Sequence, residues 1–366
     1  VLYINGIKLQ GCQTLEMGDR IKLGIDGPEF IFETSLNKNQ NQPRLAATNQ
    51  RFYNAGEPEY LTFTQLFPIA STGKQLSQKA YLYPGIATVI CVVSMFVAVG
   101  NSVAFNLLLA AYLSGAAYYF IYQLCGKHKP WWVLLGSALA TVLILLSPLL
   151  IGFIVVFREI LPGRLPVEGE QINFLSFLIR MFFGAGLMEE LLKALPVLGA
   201  MLLGNLLRNP WRDRIGVWEP LDGILLGSAS AVGFTLLETL GQYVPNIIQN
   251  ITLQAGPEAA ELVGLQSLIP RILGSAAGHM AYSGYFGYFI GLSALKPRKR
   301  WQILGVGYFS ASALHALWNA SGTVSVLLLA VVGVLSYAFL VAAILKARAL
   351  SPNRDQNFAT RIFSEK

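Results

Sequence analysis

Phe174-Leu-Ser-Phe-Leu-Ile-Arg180-Met-Phe-Phe-Gly184-Ala-Gly-Leu-Met-Glu189-Glu190-Leu-Leu-Lys193-Ala-Leu-Pro196-Val-Leu-Gly-Ala-Met-Leu-Leu203 is an apolar run with two carboxylates and an ammonium group near its centre. It exceeds the about 20 helical residues needed to cross a hydrocarbon core of roughly 30 Å. A charge at that depth costs on the order of 2.5 to 3.5 kcal/mol on insertion scales, so it faces a partner or a cavity. Lys193 can pair with Glu189 at i+4 or with Glu190 at i+3. Adjacent helical residues point about 100° apart, so one glutamate can meet Lys193 while the other faces a different helix. That division suits one structural and one catalytic carboxylate. The plainer reading is a buried salt bridge that fixes helix register, but two glutamates for one lysine leave a carboxylate over.

The rest of the chain has the same solvent. Of 366 residues, 54% are hydrophobic and only 13% charged, and the mean hydropathy is +0.51, whereas a soluble domain averages about 25% charged residues. A net charge of +7 would raise nucleic acid as a partner for a soluble protein, but here the basic residues sit in short loops between apolar runs, and no nucleic-acid partner is expected. Cys12, Cys91 and Cys125 follow no zinc or disulfide spacing. The chain opens on Val1, with no signal peptide before the first apolar run, which reads as part of a longer protein.

Apolar runs predict an all-α polytopic bundle of about eight membrane helices over residues 83–347: Pro84 to Asn101, Ser102 to Leu124, Trp131 to Phe157, Phe174 to Leu203, Leu221 to Tyr243, Ile272 to Leu295, Trp301 to Ala320 and Val324 to Leu345. If each crosses once, the basic loops Lys127-His-Lys129, Arg208 to Arg214, Lys296 to Arg300 and the tail Lys346 to Arg354 share one side. The positive-inside rule makes that side cytoplasmic. Both termini then lie in the cytoplasm, including a tail over 348–366. Gly223-x-x-x-Gly227, Gly274-x-x-x-Gly278 and Gly287-x-x-x-Gly291 predict close backbone approach between helices.

Ahead of the bundle, residues 1–36 show period-two apolarity broken at Asn5-Gly6 and Gly18-Asp19, which predicts a small β-rich soluble segment of antiparallel strands. The succession Asn-Gly, Leu, Gly-Asp-Arg-Ile-Lys-Leu-Gly and Phe-x-Phe resembles the C-terminal half of a forkhead-associated domain. The resemblance implies a module that reads phosphothreonine, and hence a phosphorylated cytoplasmic protein as partner. Most of that family's binding residues lie upstream of the matching segment. Residues 37–82, rich in Asn, Gln, Pro, Ser and Thr, read as a polar linker.

Later spans repeat the anomaly of the fourth. Asp222 opens the fifth span, where capping explains it, but Glu238 lies deep in the same helix. The sixth carries Arg271 and His279, and the seventh carries His315 and Asn319 one turn apart. Asp222 and Glu238 are roughly 24 Å apart along a continuous helix and do not share a site. Counting residues, Glu238 lies roughly 5 Å, His315 roughly 9 Å and His279 roughly 10 to 12 Å from the outer boundary. A lone histidine is usually a satisfied core residue, yet three helices bring polar groups to similar depth.

Glu-Glu-x-x-Lys at 189 to 193, Asp-Gly at 222 and 223, Gly-Phe-x-x-x-Glu at 233 to 238, His279, and His315-x-x-x-Asn319 together resemble the PrsW-type intramembrane proteases. That family is similar to the CAAX-processing and bacteriocin-processing membrane proteases. The resemblance covers roughly Arg180 to Asn319. It implies an intramembrane endopeptidase of a bacterial plasma membrane, cutting a membrane-anchored protein such as an anti-sigma factor near the outer face.

No His-Glu-x-x-His helix, Gly-x-Ser-x-Gly elbow or phosphate-binding Gly-rich loop appears. Two chemistries stay open. In one, Glu189 or Glu190 activates water, Glu238 holds it or shuttles the proton, and His279 and His315 donate to the oxyanion, with Asn319 orienting His315 or adding a donor and no metal required. In the other, His279, His315 and Glu190 hold a divalent metal such as zinc. A proton-coupled transporter also keeps carboxylates and histidines in its bundle, though no internal repeat supports one. A non-catalytic scaffold would tolerate exchange of these residues.

Overall fold

The computed structural model describes residues 2–9, 14–16, 18–24, 29–32, 82–167, 170–352 and 357. The expected linker and most of the expected tail fall outside these ranges. The chain divides into two compact units, Val1–Gly73 and Lys74–Lys366.

In the first unit, β1 (Leu2–Ile4), β2 (Ile7–Lys8), β3 (Arg20–Leu23) and β4 (Glu29–Ile31) form an antiparallel sheet in the order β2-β1-β3-β4. Ile4 pairs with both Ile7 and Ile21, and Ile21 with Phe30. Asn5 and Gly6, both at positive φ, make the tight β1–β2 turn. The Asn5 amide donates to Asp19 Oδ1 at 2.8 Å and its oxygen accepts from the Arg20 amide at 2.9 Å, so one side chain ties this turn to the start of β3.

The second unit is helical. It comprises α1 (Leu82–Val97), α2 (Ser102–Cys125), α3 (Trp131–Leu146), α4 (Leu149–Ile154) with a π-helical continuation over Val155–Ile160, α5 (Phe174–Met181), a π-helical turn over Phe182–Leu187, and α6 (Met188–Leu206). There follow α7 (Trp211–Ile215), α8 (Pro220–Glu238), a π-helical turn over Thr239–Tyr243, α9 (Val244–Ala255), α10 (Pro257–Leu295), α11 (Arg300–Ser321) and α12 (Val326–Leu350).

Among the described residues, three helical stretches are long and apolar enough to cross a membrane: Ser102–Cys125, Pro220–Gln254 and Val326–Leu350. The pair Trp131–Leu146 and Leu149–Ile160, bent by 72°, makes a fourth if it counts as one span. The other expected spans are present as helices that depart from that pattern. The run from Phe174 is broken into α5, a π turn and α6, and carries Arg180, Glu189, Glu190 and Lys193. The expected span Trp131 to Phe157 breaks at Ser147-Pro148, because proline disfavours helical backbone at the residue before it. α10 runs 39 residues, about 58 Å at 1.5 Å per residue, and so extends well beyond a hydrocarbon core.

Nearly every residue of α8 from Pro220 to Thr235 is buried, with α2, α3, α6 and α10 packed around it. Glycine makes the α8–α10 contact possible. A side chain on Gly223 would collide with the Gly287 carbonyl, and one on Gly291 with the Glu219 carbonyl. Hydroxyl groups supply the lateral bonds: Tyr118 donates to Leu225 O at 3.1 Å, Ser137 to Leu226 O at 2.9 Å and Ser230 to Lys193 O at 2.7 Å, while Thr141 and Ser230 meet at 2.6 Å.

The start of α8 is pinned by charge. Asp222 Oδ1 lies 2.7 Å from Lys127 Nζ and 3.1 Å from Lys129 Nζ, and its Oδ2 accepts from the Trp218 amide at 3.1 Å. Lys127 also pairs with Glu219, and Lys129 donates to Gly216 O at 2.6 Å. Burial holds the Lys129 ammonium below its usual range although Asp222 stands beside it.

Gly223→Val should lower the unfolding midpoint in detergent by the equivalent of about 1–3 kcal/mol or more, through overpacking against α10. Gly305→Ala, where a side chain meets open space, should unfold close to wild type.

Candidate active site

The π turn over Phe182–Leu187 brings α6 against α11. A side chain on Gly184 would strike the Gly163 carbonyl, and one on Gly186 the Ser312 carbonyl, so both contacts are backbone against backbone. Tyr308 of α11 donates to Leu187 O at 2.7 Å. π turns of this kind are frequent at functional sites because they re-aim the residues that follow. Here those residues are Glu189 and Glu190, and His315 of α11 reaches both.

Glu190 is the most heavily engaged carboxylate of this cluster. It is fully buried; its Oε1 accepts from Lys193 Nζ at 2.5 Å and lies 2.9 Å from His315 Nδ1, and its Oε2 accepts from the Ser283 hydroxyl at 2.8 Å. Lys193, also fully buried, lies 3.0 Å from His279 Nδ1 and 4.6 Å from the centre of the Phe234 ring. Three helices, α6, α10 and α11, are thus joined through one carboxylate.

Glu189 points the other way, into a cavity of about 470 Å³ that Arg158, Phe234, Glu238, Gln242 and Asn319 also line. Its Oε2 is buried without a hydrogen bond and lies 3.6 Å from His315 Nε2. Glu238 mirrors this arrangement. Its Oε1 pairs with Arg271 at 2.7 Å, while its Oε2, also buried without a hydrogen bond, lies 3.4 Å from His279 Nε2. Arg271 is held over the Tyr243 ring at 4.6 Å. The two imidazoles meet edge to face at 4.9 Å between centres, and Tyr282 stacks on His315 at 5.0 Å.

One oxygen of Glu189 and one nitrogen each of His279 and His315 lie within 4.8 Å of one another. Two nitrogens and a carboxylate oxygen, with further room in the cavity, are the donor set of a catalytic zinc site. In a tetrahedral site with ligands at about 2.0–2.1 Å, donors stand roughly 3.4 Å apart, close to the Glu189–His315 separation. The orphaned Glu189 oxygen and the carboxylate behind His315 Nδ1 also fit, since a metal-binding imidazole usually gives its other nitrogen to such a group. The metal set expected from sequence contained Glu190; the structure brings Glu189 to the two imidazoles instead, because Glu190 is consumed by Lys193, Ser283 and His315 Nδ1.

Asn319 lines the cavity without a hydrogen bond to His315, both of whose ring nitrogens face glutamates. Asp222 sits at the opposite end of α8, among the lysines. Ser283, Tyr282 and Arg158 were not singled out from sequence. Ser283 follows His279 by one helical turn, a spacing that carries the signal; Arg158 lies one residue past the expected span Trp131 to Phe157.

Residues 129–344 match the family described as PrsW family intramembrane metalloprotease. No curated protein and no solved structure matches the chain. The matched region holds more than half of the chain and takes in every residue of the cluster just described. The chain belongs to the PrsW family of intramembrane metalloproteases, and is an integral membrane peptidase.

Proposed function

We propose that the cavity beside Glu189 is where a peptide bond of a membrane-anchored protein is hydrolysed. The observation that carries this reading is the pair of orphaned carboxylate oxygens, on the cavity-lining Glu189 and Glu238, each within 3.6 Å of an imidazole nitrogen behind it. Glu189, His279 and His315 would hold a divalent cation. When bound, such an ion polarises a carbonyl and makes water acidic enough to attack at neutral pH.

The remaining groups have distinct work. Glu238 lies outside the donor set with one oxygen free, and accepts the proton of the attacking water before passing it to the leaving amine. Arg271 holds that carboxylate by its other oxygen. Glu190 fixes the orientation of His315 through Nδ1, and Lys193 and Ser283 fix Glu190 in turn. Asn319 and Gln242 offer amides to the substrate backbone. By resemblance the substrate is an anti-sigma-factor-like protein, and by the placement of basic loops the site opens toward the outer face of a bacterial plasma membrane, with both termini cytoplasmic.

In proteoliposomes with tagged single-span proteins, Glu238→Gln and His315→Ala should each lower cleavage by at least about 10²-fold with expression intact. Unchanged cleavage in both would remove the site. Zinc measured on protein purified without chelator should be stoichiometric in wild type and in Glu190→Gln, and lost in Glu189→Gln. Loss in Glu190→Gln alone would return the ligand role to that residue. Lys193→Met strands a buried carboxylate and should cost about 3–5 kcal/mol of stability. Adding Glu190→Gln should recover part of it, read as a coupling energy in detergent unfolding.

A further inference from the structure

Among the described residues, Arg158 is the one lysine or arginine lining the cavity. It stands on the π-helical continuation of α4, beyond the 72° break in the span. Its Nε donates to Gly184 O at 3.1 Å, and the abutting backbones of Gly163 and Gly184 bring the two segments close enough for this. Among the described residues it forms no ion pair, although Arg20, Arg180 and Arg271 each do. A guanidinium stays charged at any ordinary pH and carries five donors. One is anchored, which leaves the terminal nitrogens as a fork suited to a carboxylate.

A cation at membrane depth is expensive without a counter-charge. The carboxylates lining the cavity are Glu189, turned toward His315, and Glu238, taken by Arg271. We propose that Arg158 is a specificity determinant that pairs with an acidic side chain on the substrate segment occupying the cavity. This rests on the reading of the cavity as the cleavage site. The Gly184 anchor sets the direction of the fork, and Glu189 repels the same acidic side chain, so the two together fix which way the segment runs.

The test reads binding and is therefore independent of cleavage. The probe is a set of synthetic single-span peptides with one photo-crosslinking residue and either Asp or Asn at successive positions of one half. It is presented in phosphatidylcholine vesicles to wild type, Arg158→Lys and Arg158→Gln. At one or two positions Asp should raise crosslinking over Asn about tenfold, equivalent to about 1.4 kcal/mol. Arg158→Lys should keep that preference and Arg158→Gln should lose it. Glutamine can still donate to Gly184 O, so a purely structural Arg158 predicts that the glutamine variant behaves as wild type. Equal capture of Asp and Asn probes by wild type overturns the proposal, as does a preference that survives in Arg158→Gln. A preference that emerges only in phosphate-free dodecyl maltoside assigns Arg158 to lipid phosphate and also overturns it. Failure of all probes to be cleaved, with the Asp preference intact, counts against the protease reading alone.

Discussion

The buried contact between Glu190 and Lys193 governs much of what surrounds it. An ion pair at this depth persists only when its remaining hydrogen-bonding positions are filled, and the glutamate's are filled from other helices, by Ser283 from α10 and His315 from α11, while His279 Nδ1 of α10 lies 3.0 Å from the lysine. The electrostatic requirement of one helix therefore dictates where two others sit. With both imidazoles held by their Nδ1 atoms, their Nε2 atoms are left facing Glu189 and Glu238. The site is a by-product of satisfying the pair.

Close packing of α8 against α10 makes this geometry stiff. Where Gly223 meets Gly287 and Gly291 meets Glu219, the backbones touch with no side chain between them, so there is little room to slide. His279 on α10 and Glu238 on α8 keep their relative positions because the helices that carry them are locked some turns away. The π turns work differently: each interrupts a regular helix beside the cavity and changes the direction of the residues that follow.

Much of this was legible from the cost of charge in lipid. That rule alone drew attention to Glu189, Glu190, Lys193, Glu238, His279 and His315, and the β-rich character of residues 1–36 followed from Asn5-Gly6 and strict alternation. The allocation of roles was less legible. Lys193 is one turn from both glutamates, and spacing does not say which it takes; Ser283, a residue with no charge to mark it, decides the matter by bonding Glu190. The helix breaks were also hidden, since π turns at Phe182–Leu187 and Thr239–Tyr243 carry no proline or charge signature. The π-helical continuation over Val155–Ile160 likewise carries Arg158 past the expected end of its span at Phe157.

α8 carries Asp222 in its first turn and Glu238 in its last, so a single rod connects the lysine cluster at one end to the carboxylate beside the cavity at the other. A slip of one residue along a helix moves each side chain by about 1.5 Å and turns it by about 100°, enough to take Glu238 away from both Arg271 and His279. Lys127 and Lys129, clamped on Asp222 with Gly216 and the Trp218 amide, prevent that slip. The cation cluster thus serves as a register stop, and the alignment of Glu238 is set from the far end of its own helix.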